Sequence, residues 1–365
     1  MRKKKRINLI CNQAWTIYKS RKELYCGLIE RGYNIKIFSE DLCNEKHHTC
    51  LLTKRTKNSL VNTALSLYNF CKYIYQNNKN EIYILYSTKI NILFGSVLRL
   101  SGGKYICVVA GLGKLYSSNS LVRFIYIRLY AFVARGAQGV QVLNDHDYNL
   151  FSNLINANKI YKINCEGYSA PNIINFSPKI NNNILMVSRL IKEKGVFEFL
   201  EAVKILRDQD ISAGYNFYLV GKFDITHSID NTKLRRLASE YGVDLVVGAD
   251  NIDNFFEMAD CFVFPSQYNE GMPRVLLEAA EHGSYIITSD NPGCKDFIKL
   301  GFAGKLIKTC PGDISKNIAI AIESYMKLDY YDKLKLKHHN ALLTTDVCKV
   351  TGVLDVYEEI FRKCY

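Results

Sequence analysis

The stretch that decides the fold runs from Phe264 to Ala279 and reads FPSQYNEGMPRVLLEA. The apolar residues from Cys261 onward predict a strand that ends at Phe264 and is followed by a short loop. Pro273 stands where the first position of the next helix is expected. Because the backbone N–H groups at a helix start have no partner within the helix, they form a site for a phosphate, and Gly271 allows close approach. The stretch therefore predicts a strand, a loop and a helix start that bind an anionic ligand.

Two acids, Glu270 and Glu278, lie within this stretch. Ionised carboxylates only accept hydrogen bonds, so sugar and ribose hydroxyls are suitable partners for them. A glycosidase pair is the alternative, with carboxyl groups about 5 to 5.5 Å or about 6.5 to 9.5 Å apart. Eight residues of helix span roughly 12 Å, which argues against a glycosidase unless a bent loop shortens the distance. We expect the two acids to hold hydroxyl groups.

A second strand-to-loop segment lies upstream, from Ile184 to Val196, and reads ILMVSRLIKEKGV. It presents Arg189 and, five residues later, Lys194 just before the next predicted helix. A planar guanidinium and a compact ammonium together suit a pyrophosphate. Two exposed surface cations are the alternative interpretation of this segment alone. The presence of both segments in one chain favours the ligand site.

Strands alternate with helices on either side of these segments, which predicts parallel sheets with helices on both faces. The predicted strands are 7–11, 34–38, 81–86, 104–109 and 139–143 in the first half, and 183–187, 216–220, 245–247, 261–264 and 285–288 in the second. The predicted helices are 19–31, 58–76, 91–100, 195–207, 231–241, 273–281 and 353–363.

The fold class is therefore α/β, with two Rossmann-like, doubly wound parallel-sheet domains facing a cleft. Residues 166–183 contain prolines and an Asn triplet without sustained periodicity, which indicates a linker. We expect an N-terminal acceptor- and membrane-facing domain over 1–178 and a nucleotide-sugar-binding domain over 179–350. A C-terminal helix over 351–365 is expected to pack across the domain boundary.

Composition limits the class of protein. The 365 residues are 48% hydrophobic and 23% charged, as in an ordinary globular chain of about two domains. No stretch approaches the roughly 20 apolar residues of a spanning helix, so we expect a cytoplasmic protein. The 12 cysteines are scattered without a Cys-x-x-Cys pair, which indicates reduced thiols.

The charge is concentrated in the first half. Residues 1–180 carry 26 basic and 9 acidic side chains, a net charge of +17, whereas residues 181–365 carry 22 and 26, a net charge of −4. A basic half suits nucleic acid, an anionic membrane surface, a phosphorylated ligand or a solvated surface. Two segments of this half stand out. The tail 2–6 consists of basic residues, and residues 121–135 are apolar and aromatic except for arginines at 123, 128 and 135. The second segment predicts either a helix at a membrane interface or a buried helix with charged edges.

Several weaker motifs predict structure rather than chemistry. We interpret Asp145 in Asp145-His146-Asp147 as a helix cap rather than as part of a metal site. The Cys43 to Cys50 segment does not match a common zinc spacing and is interpreted as a loop. Gly111-Leu112-Gly113 lacks the third glycine of a dinucleotide fingerprint, and His282 is expected at a helix end.

The second half resembles the second domain of the family-four retaining glycosyltransferases, which have the GT-B fold. The resemblance covers roughly residues 181 to 310 and rests on Ser188-Arg189-Leu190, Glu193-Lys194-Gly195, Glu270-Gly271-Met272-Pro273 and Leu277-Glu278-Ala279, with Glu270 and Glu278 matching the E-x7-E pattern. In the first half, residues 14–21 and 109–116 are similar to bacterial members that extend undecaprenyl-diphosphate-linked sugars in O-antigen, capsule or glycoprotein assembly. The chain differs from many members in lacking a Gly-Gly pair after the first strand.

The resemblance implies catalytic residues and a donor site. Arg189 and Lys194 would neutralise the departing diphosphate, Glu270 would hold the transferred sugar and Glu278 the ribose. Gly271, Met272 and Pro273 would mark the helix start beside the phosphates.

The resemblance also implies the substrates and partners. It implies a UDP-linked hexose or N-acetylhexosamine donor, no metal or other cofactor, and a polyprenyl-diphosphate-linked saccharide acceptor. Because the first domain is basic, we expect an anionic membrane surface as partner rather than nucleic acid. The expected place of action is the inner face of the plasma membrane. A nucleotide-sugar epimerase of the same fold, or a nucleic-acid-binding protein that uses the basic half, remain the alternatives.

Overall fold

Two parallel sheets organise the chain. The computed structural model describes residues 6–41, 47–51, 59–77, 81–112, 119–166, 168, 179–224, 229–249, 251–310 and 312–364. By contacts the chain divides into a first unit of Met1–Ser169 with Lys349–Tyr365 and a second unit of Ala170–Cys348. The basic tail 2–5, residues 43–46 and residues 113–116 lie outside the described residues.

The first sheet has seven strands in the order β3-β2-β1-β4-β5-β6-β7, and every described pairing is parallel. Its strands are β1 (Arg6–Ile10), β2 (Asn34–Ser39), β3 (His48–Cys50), β4 (Ile82–Tyr86), β5 (Lys104–Val109), β6 (Gly139–Val142) and β7 (Ile160–Lys162). The helices of the first unit are Trp15–Tyr18, Lys22–Glu30, Ser59–Asn77, Thr88–Ser101, Ser120–Gly136, Asp145–Ser152 and Val350–Lys363, with a short 3-10 turn at Ala157–Lys159.

Both faces of this sheet are buried, because helices pack on each of them. Successive strand residues point to opposite sides and enter two different apolar clusters. In β1, Ile7 and Leu9 pack under the helices Lys22–Glu30 and Val350–Lys363, whereas Ile10 packs on the other face. The C-terminal helix therefore belongs to the first unit, against the same sheet face as Lys22–Glu30.

The second sheet has six strands in the order β10-β9-β8-β11-β12-β13, again with every described pairing parallel. Its strands are β8 (Asn183–Leu190), β9 (Asn216–Phe223), β10 (Val243–Val247), β11 (Cys261–Phe264), β12 (Tyr285–Ser289) and β13 (Gly304–Ile307). The helices of the second unit are Val196–Asp208, Asn231–Glu240, Asp253–Met258, Arg274–Glu281, Pro292–Lys299, Ile314–Met326 and Tyr330–Val347, with a 3-10 turn at Lys192–Lys194.

The strand order of the second sheet reverses between β8 and β11. At such a point the loops that leave neighbouring strands diverge to opposite faces and open a crevice beyond the carboxyl ends of the strands. The loop after β8 contains Lys194, and the loop after β11 contains Glu270. The topology therefore places the two predicted segments at the same edge of one sheet.

Each cysteine in the described part of the chain is a free thiol. Among the described residues, no helix combines the length and apolarity needed to cross a membrane.

Candidate active site

The loop after β8 is held in a tight turn against the loop after β11. Lys192–Lys194 forms one 3-10 turn, and Gly195 ends it with a φ of +77° before the next helix begins. A Cβ on Gly195 would lie 2.6 Å from the carbonyl oxygen of Pro265. Only glycine adopts this φ readily and also leaves room for the Pro265 backbone. This close contact fixes Lys194 beside the loop that follows β11.

Lys194 and Glu270 form an ion pair between the two loops. The Lys194 ammonium donates to Oε1 of Glu270, and the Ser266 hydroxyl donates to the same oxygen at 2.6 Å. The Lys194 and Glu270 side chains are 12% and 19% exposed, so the pair is largely shielded but reachable from solvent. The Lys194 ammonium also lies 5.0 Å from the ring centre of Phe264 and 5.6 Å from that of Tyr268.

The backbone joins the same two loops. The amide N–H of Gln267 donates to the carbonyl of Glu193 at 2.8 Å. The Asn291 side-chain amide, from the loop after β12, donates to the carbonyl of Ser266. Three neighbouring strands thus contribute to one supported loop cluster.

Arg189 lies at the end of β8 and contacts a different acid. Its guanidinium Nη1 donates to Oδ2 of Asp224 at 2.8 Å, and its side chain is 55% exposed. Burial raises the pKa of the Tyr268 hydroxyl, the Glu193 carboxylate raises it further, and the Arg189 guanidinium lowers it. Arg189 therefore acts electrostatically on the loop that carries Glu270, while its described ion pair is with Asp224.

The helix after this loop begins one residue later than the sequence predicts. Pro273 is the N-cap, with ψ of 114°, and the helix runs from Arg274 to Glu281. The extended ψ of Pro273 keeps it outside the helix and so corrects its predicted place at the first helical position. Pro273 itself provides no side-chain cap for this helix start. Met272 beside it is 9% exposed and belongs to the core rather than to the open surface.

Gly271 is covered by the start of another helix. A Cβ on Gly293, the second residue of Pro292–Lys299, would lie 2.0 Å from the Gly271 carbonyl oxygen and 2.8 Å from that of Glu270. The absence of a side chain at Gly293 therefore allows the two helix starts to approach each other.

Glu278 lies one turn inside the helix Arg274–Glu281 and pairs with Arg274. The Arg274 Nε atom donates to Oε1 of Glu278 at 2.8 Å, and the Glu278 side chain is 25% exposed. This is an i,i+4 ion pair along one helix face.

Sequence reasoning missed three supporting residues, Ser266, Asn291 and Gly293. Their hydrogen bonds and close contacts depend on which strands are neighbours, and the sequence alone does not give the strand order. One local signal was present, since Pro292 follows a strand and is suited to the first position of a helix.

The buried thiol of Cys294 lies within electrostatic range of both Lys194 and Glu270. Burial raises the pKa of this thiol to about 12, and the Glu270 carboxylate contributes to the increase. Since a raised thiol pKa leaves the group protonated below that value, Cys294 does not supply a thiolate nucleophile at neutral pH.

The predicted cap at Asp145 is wrong by one residue. Asn144 is the N-cap of Asp145–Ser152, and its side-chain oxygen accepts from the Asp147 amide at 2.8 Å. Asp145 instead lies 2.5 Å from the Lys162 ammonium. Within the described ranges, no group of three or more His, Cys, Asp or Glu side chains is arranged to hold a metal ion. His282 lies at the helix end, as expected, and burial lowers the pKa of its imidazole.

The second unit is similar in sequence to known proteins. Residues 173–337 match the family model described as Glycosyl transferases group 1. The chain is 30% identical over 239 residues to the N,N'-diacetylbacillosaminyl-diphospho-undecaprenol alpha-1,3-N-acetylgalactosaminyltransferase of Campylobacter jejuni. The aligned region covers 59% of this chain and 60% of that protein. It is 25% identical over 267 residues to the UDP-Gal:alpha-D-GlcNAc-diphosphoundecaprenol alpha-1,3-galactosyltransferase of Escherichia coli. That aligned region covers 68% of this chain and 66% of the relative. The chain thus spans about three fifths to two thirds of the length of these curated relatives.

A solved structure matches the architecture of the whole chain. The structure of HepE from Anabaena, in complex with UDP and glucose, superposes with a TM-score of 0.78 at 14% identity, over 98% of this chain and 99% of that one. At this level of identity the likeness establishes the fold. The chain therefore has the GT-B fold, and residues 173–337, within its second unit, are similar to the glycosyl transferases group 1 family.

Proposed function

We propose that the protein is a retaining glycosyltransferase. It moves a hexosyl or N-acetylhexosaminyl group from a nucleotide-sugar donor, with a UDP-sugar favoured, to a polyprenyl-diphosphate-linked saccharide in the synthesis of a bacterial O-antigen or capsule. The observation that carries the proposal is the Lys194–Glu270 pair at the switch point of a glycosyl transferases group 1 domain. The names of the two curated relatives support a diphospho-undecaprenol acceptor.

The donor diphosphate binds beside Lys194 and Arg189, near the start of the helix Arg274–Glu281. Negative charge grows on the leaving phosphate as the bond from the anomeric carbon to the phosphate oxygen breaks. Cations placed there stabilise the transition state more than the ground state. The acceptor oxygen forms the new bond on the same face of the sugar, and its proton passes to the leaving phosphate oxygen. This route needs no protein nucleophile and, with two cations at the diphosphate, no metal.

The two acids, Glu270 and Glu278, bind the two sugar rings of the donor. Glu270 accepts hydrogen bonds from hydroxyls of the transferred sugar, and Ser266 keeps its carboxylate in place. When the donor enters, its phosphates replace Glu270 as the partner of the Lys194 ammonium, and Glu270 becomes available to the sugar. Glu278 accepts from the ribose.

The ribose role predicts a selective effect of Glu278→Gln. Loss of a hydrogen bond to a charged group, at about 1.5 to 3 kcal/mol, raises the donor KM roughly 10- to 100-fold with a smaller effect on kcat. Initial rates at varied donor concentration measure this. Arg274→Gln is the matched control because it breaks the same ion pair and leaves the carboxylate. An equal rise in KM for both variants would mean that the pair only supports the helix.

We propose further that the protein works peripherally at the inner face of the plasma membrane, where its lipid-linked acceptor is embedded and nucleotide sugars are available.

The function is tested by transfer to a defined acceptor. The purified protein is incubated with synthetic polyprenyl-diphosphate saccharides and a panel of UDP- and GDP-sugars, and the lipid product is analysed by mass spectrometry. A mass increase of one sugar residue, with a retained anomeric configuration by NMR, is expected for one donor. Turnover of a donor without any acceptor would instead indicate a nucleotide-sugar epimerase or a hydrolase.

A further inference from the structure

Three long helices cover one face of the first sheet. Ser59–Asn77, Thr88–Ser101 and Ser120–Gly136 pack against the same apolar cluster through buried side chains such as Phe70 and Phe94. The surfaces of these helices that point away from the sheet therefore all lie on one side of the first unit. We call the exposed surface of these three helices the acid-free face.

The charge of this face has one sign. The three helices contain no Asp or Glu in their 50 residues, whereas the chain as a whole has 35 acids in 365 residues. Their charged residues are Lys72, Lys89, Arg99, Arg123, Arg128 and Arg135. Lys89 is paired with Glu40 at 2.9 Å, so it does not add to the net charge of the face.

Neighbouring surfaces of the same unit do contain acids. On the opposite sheet face, Lys22–Glu30 and Val350–Lys363 carry five acids between them. The short helix Asp145–Ser152 also contributes to the cluster under the acid-free face. Its Asp145 is paired with Lys162 and its Asp147 is buried, so neither offsets the cations of the long helices.

The acid-free face is also apolar. Thirteen of the twenty large apolar side chains that are exposed among the described residues lie on these three helices. Leu60 is 81% exposed, Leu121 66%, Phe124 54% and Ile125 49%. Residues 121–135 are therefore buried in part only: Leu121 and Ile125 are exposed, whereas the residues Tyr130, Ala131, Val133 and Ala134 are buried.

Cations and apolar groups are interleaved on this surface. The Arg128 guanidinium lies 5.0 Å from the ring centre of Phe124, and the Arg99 guanidinium lies 4.0 Å from that of Phe132. Such side chains place their apolar parts against acyl chains and their charged ends against phosphates.

We propose that the acid-free face is the surface by which the protein docks on a bilayer that contains anionic lipids. Its apolar side chains enter the boundary between headgroups and acyl chains, and its cations meet the lipid phosphates. A nucleic acid would use the cations but leave exposed aliphatic side chains such as Leu60, Leu121 and Ile125 in water. Ser59–Asn77 belongs to this surface as well, although its sequence, with Lys72 as the one cation, does not mark it as a membrane helix.

Vesicle binding tests the proposal without using enzymatic activity. The full-length protein is sedimented with vesicles of phosphatidylglycerol and phosphatidylcholine, and separately with vesicles of phosphatidylcholine alone. We expect strong binding to the first and at least tenfold weaker binding to the second. The double variant Leu121→Asp/Ile125→Asp and the single variant Leu60→Asp should each bind anionic vesicles at least tenfold more weakly. Arg128→Gln should lower binding about fivefold, in line with the contribution of one basic residue near an anionic surface.

The matched control is Ile320→Asp, because Ile320 is 60% exposed on Ile314–Met326 in the second unit. It should bind like the wild type, and circular dichroism checks that all variants are folded. Equal binding of the Leu121→Asp/Ile125→Asp variant and the control would overturn the proposal. Equal binding of the wild type to both vesicle types would overturn it too, as would tight binding to single-stranded RNA combined with weak vesicle binding. None of these results bears on glycosyl transfer, which the donor and acceptor assay measures separately.

Discussion

Lys194→Ala is expected to lower the rate of sugar transfer about 10²- to 10³-fold while the protein stays folded, since one preorganised group that stabilises developing charge contributes on this scale. The Lys194 ammonium is held at the sheet edge by Glu270 and by the faces of two aromatic rings. Its loss removes positive charge from the place where the departing diphosphate becomes more negative. Single-turnover transfer at saturating donor measures the effect.

Lys192→Ala is the control for this variant. Lys192 belongs to the same 3-10 turn, carries the same charge and is exposed. It should keep a transfer rate close to that of the wild type, because a charge directed into solvent is screened. Near-normal turnover by folded Lys194→Ala would contradict the catalytic role of Lys194. An equal fall in transfer rate in both variants would mean that only the net charge of the turn matters.

Gly293→Ala is expected to damage both the stability and the activity of the second unit. The new methyl group would lie 2.0 Å from the Gly271 carbonyl oxygen, and backbone cannot rotate away as a side chain can. Overpacking of this kind typically costs about 1 to 3 kcal/mol. Because the new methyl group would push the Gly271 backbone away, we expect the proposed donor site to widen. The rate of sugar transfer and the melting temperature should then both fall.

Gly352→Ala serves as the comparison for Gly293→Ala. Gly352 lies in the helix Val350–Lys363, and a Cβ there meets nothing within 4 Å. Since alanine has a higher helix propensity than glycine, this variant should be neutral or slightly more stable. Thermal unfolding by circular dichroism and the transfer assay compare the two. A Gly293→Ala protein as stable and active as Gly352→Ala would mean that the two helix starts do not pack tightly.

The central strands could be predicted from the sequence because they are buried on both faces. β11 reads CFVF and is buried throughout, and β4 reads IYILY with the same burial. Short edge strands carry a weaker signal. β3, β7 and β13 have only three or four residues with mixed polarity, and none of them was predicted.

The helix Tyr330–Val347 shows why a polar pattern misleads. It was not predicted because lysines recur through it, two of them at positions that the fold buries. Lys337 is 2% exposed and pairs with Asp260, while Lys333 donates to the Tyr215 hydroxyl at 2.8 Å. Buried charges of this kind are stable only when they are paired, and Asp260 and Tyr215 lie more than 70 residues away from these lysines in the chain.

The site could be predicted in part. The segments around Lys194 and Glu270 were located by the ends of predicted strands, and the structure joins them in one ion pair. The pairing of Arg189 with Asp224 and that of Glu278 with Arg274 were not foreseen, since these contacts depend on side-chain conformation. The roles of the four residues rest on the resemblance to glycosyltransferases and stay predictions.

The most direct measurement is calorimetric titration of the wild type, Lys194→Ala and Lys192→Ala with UDP, with GDP and with the corresponding nucleosides. We predict that the wild type binds one of the diphosphates at least tenfold more tightly than its nucleoside. Lys194→Ala should lose most of that difference, and Lys192→Ala should keep it. If Lys194→Ala retains the full preference for the diphosphate, the claim that this edge of the second sheet holds the donor diphosphate is wrong.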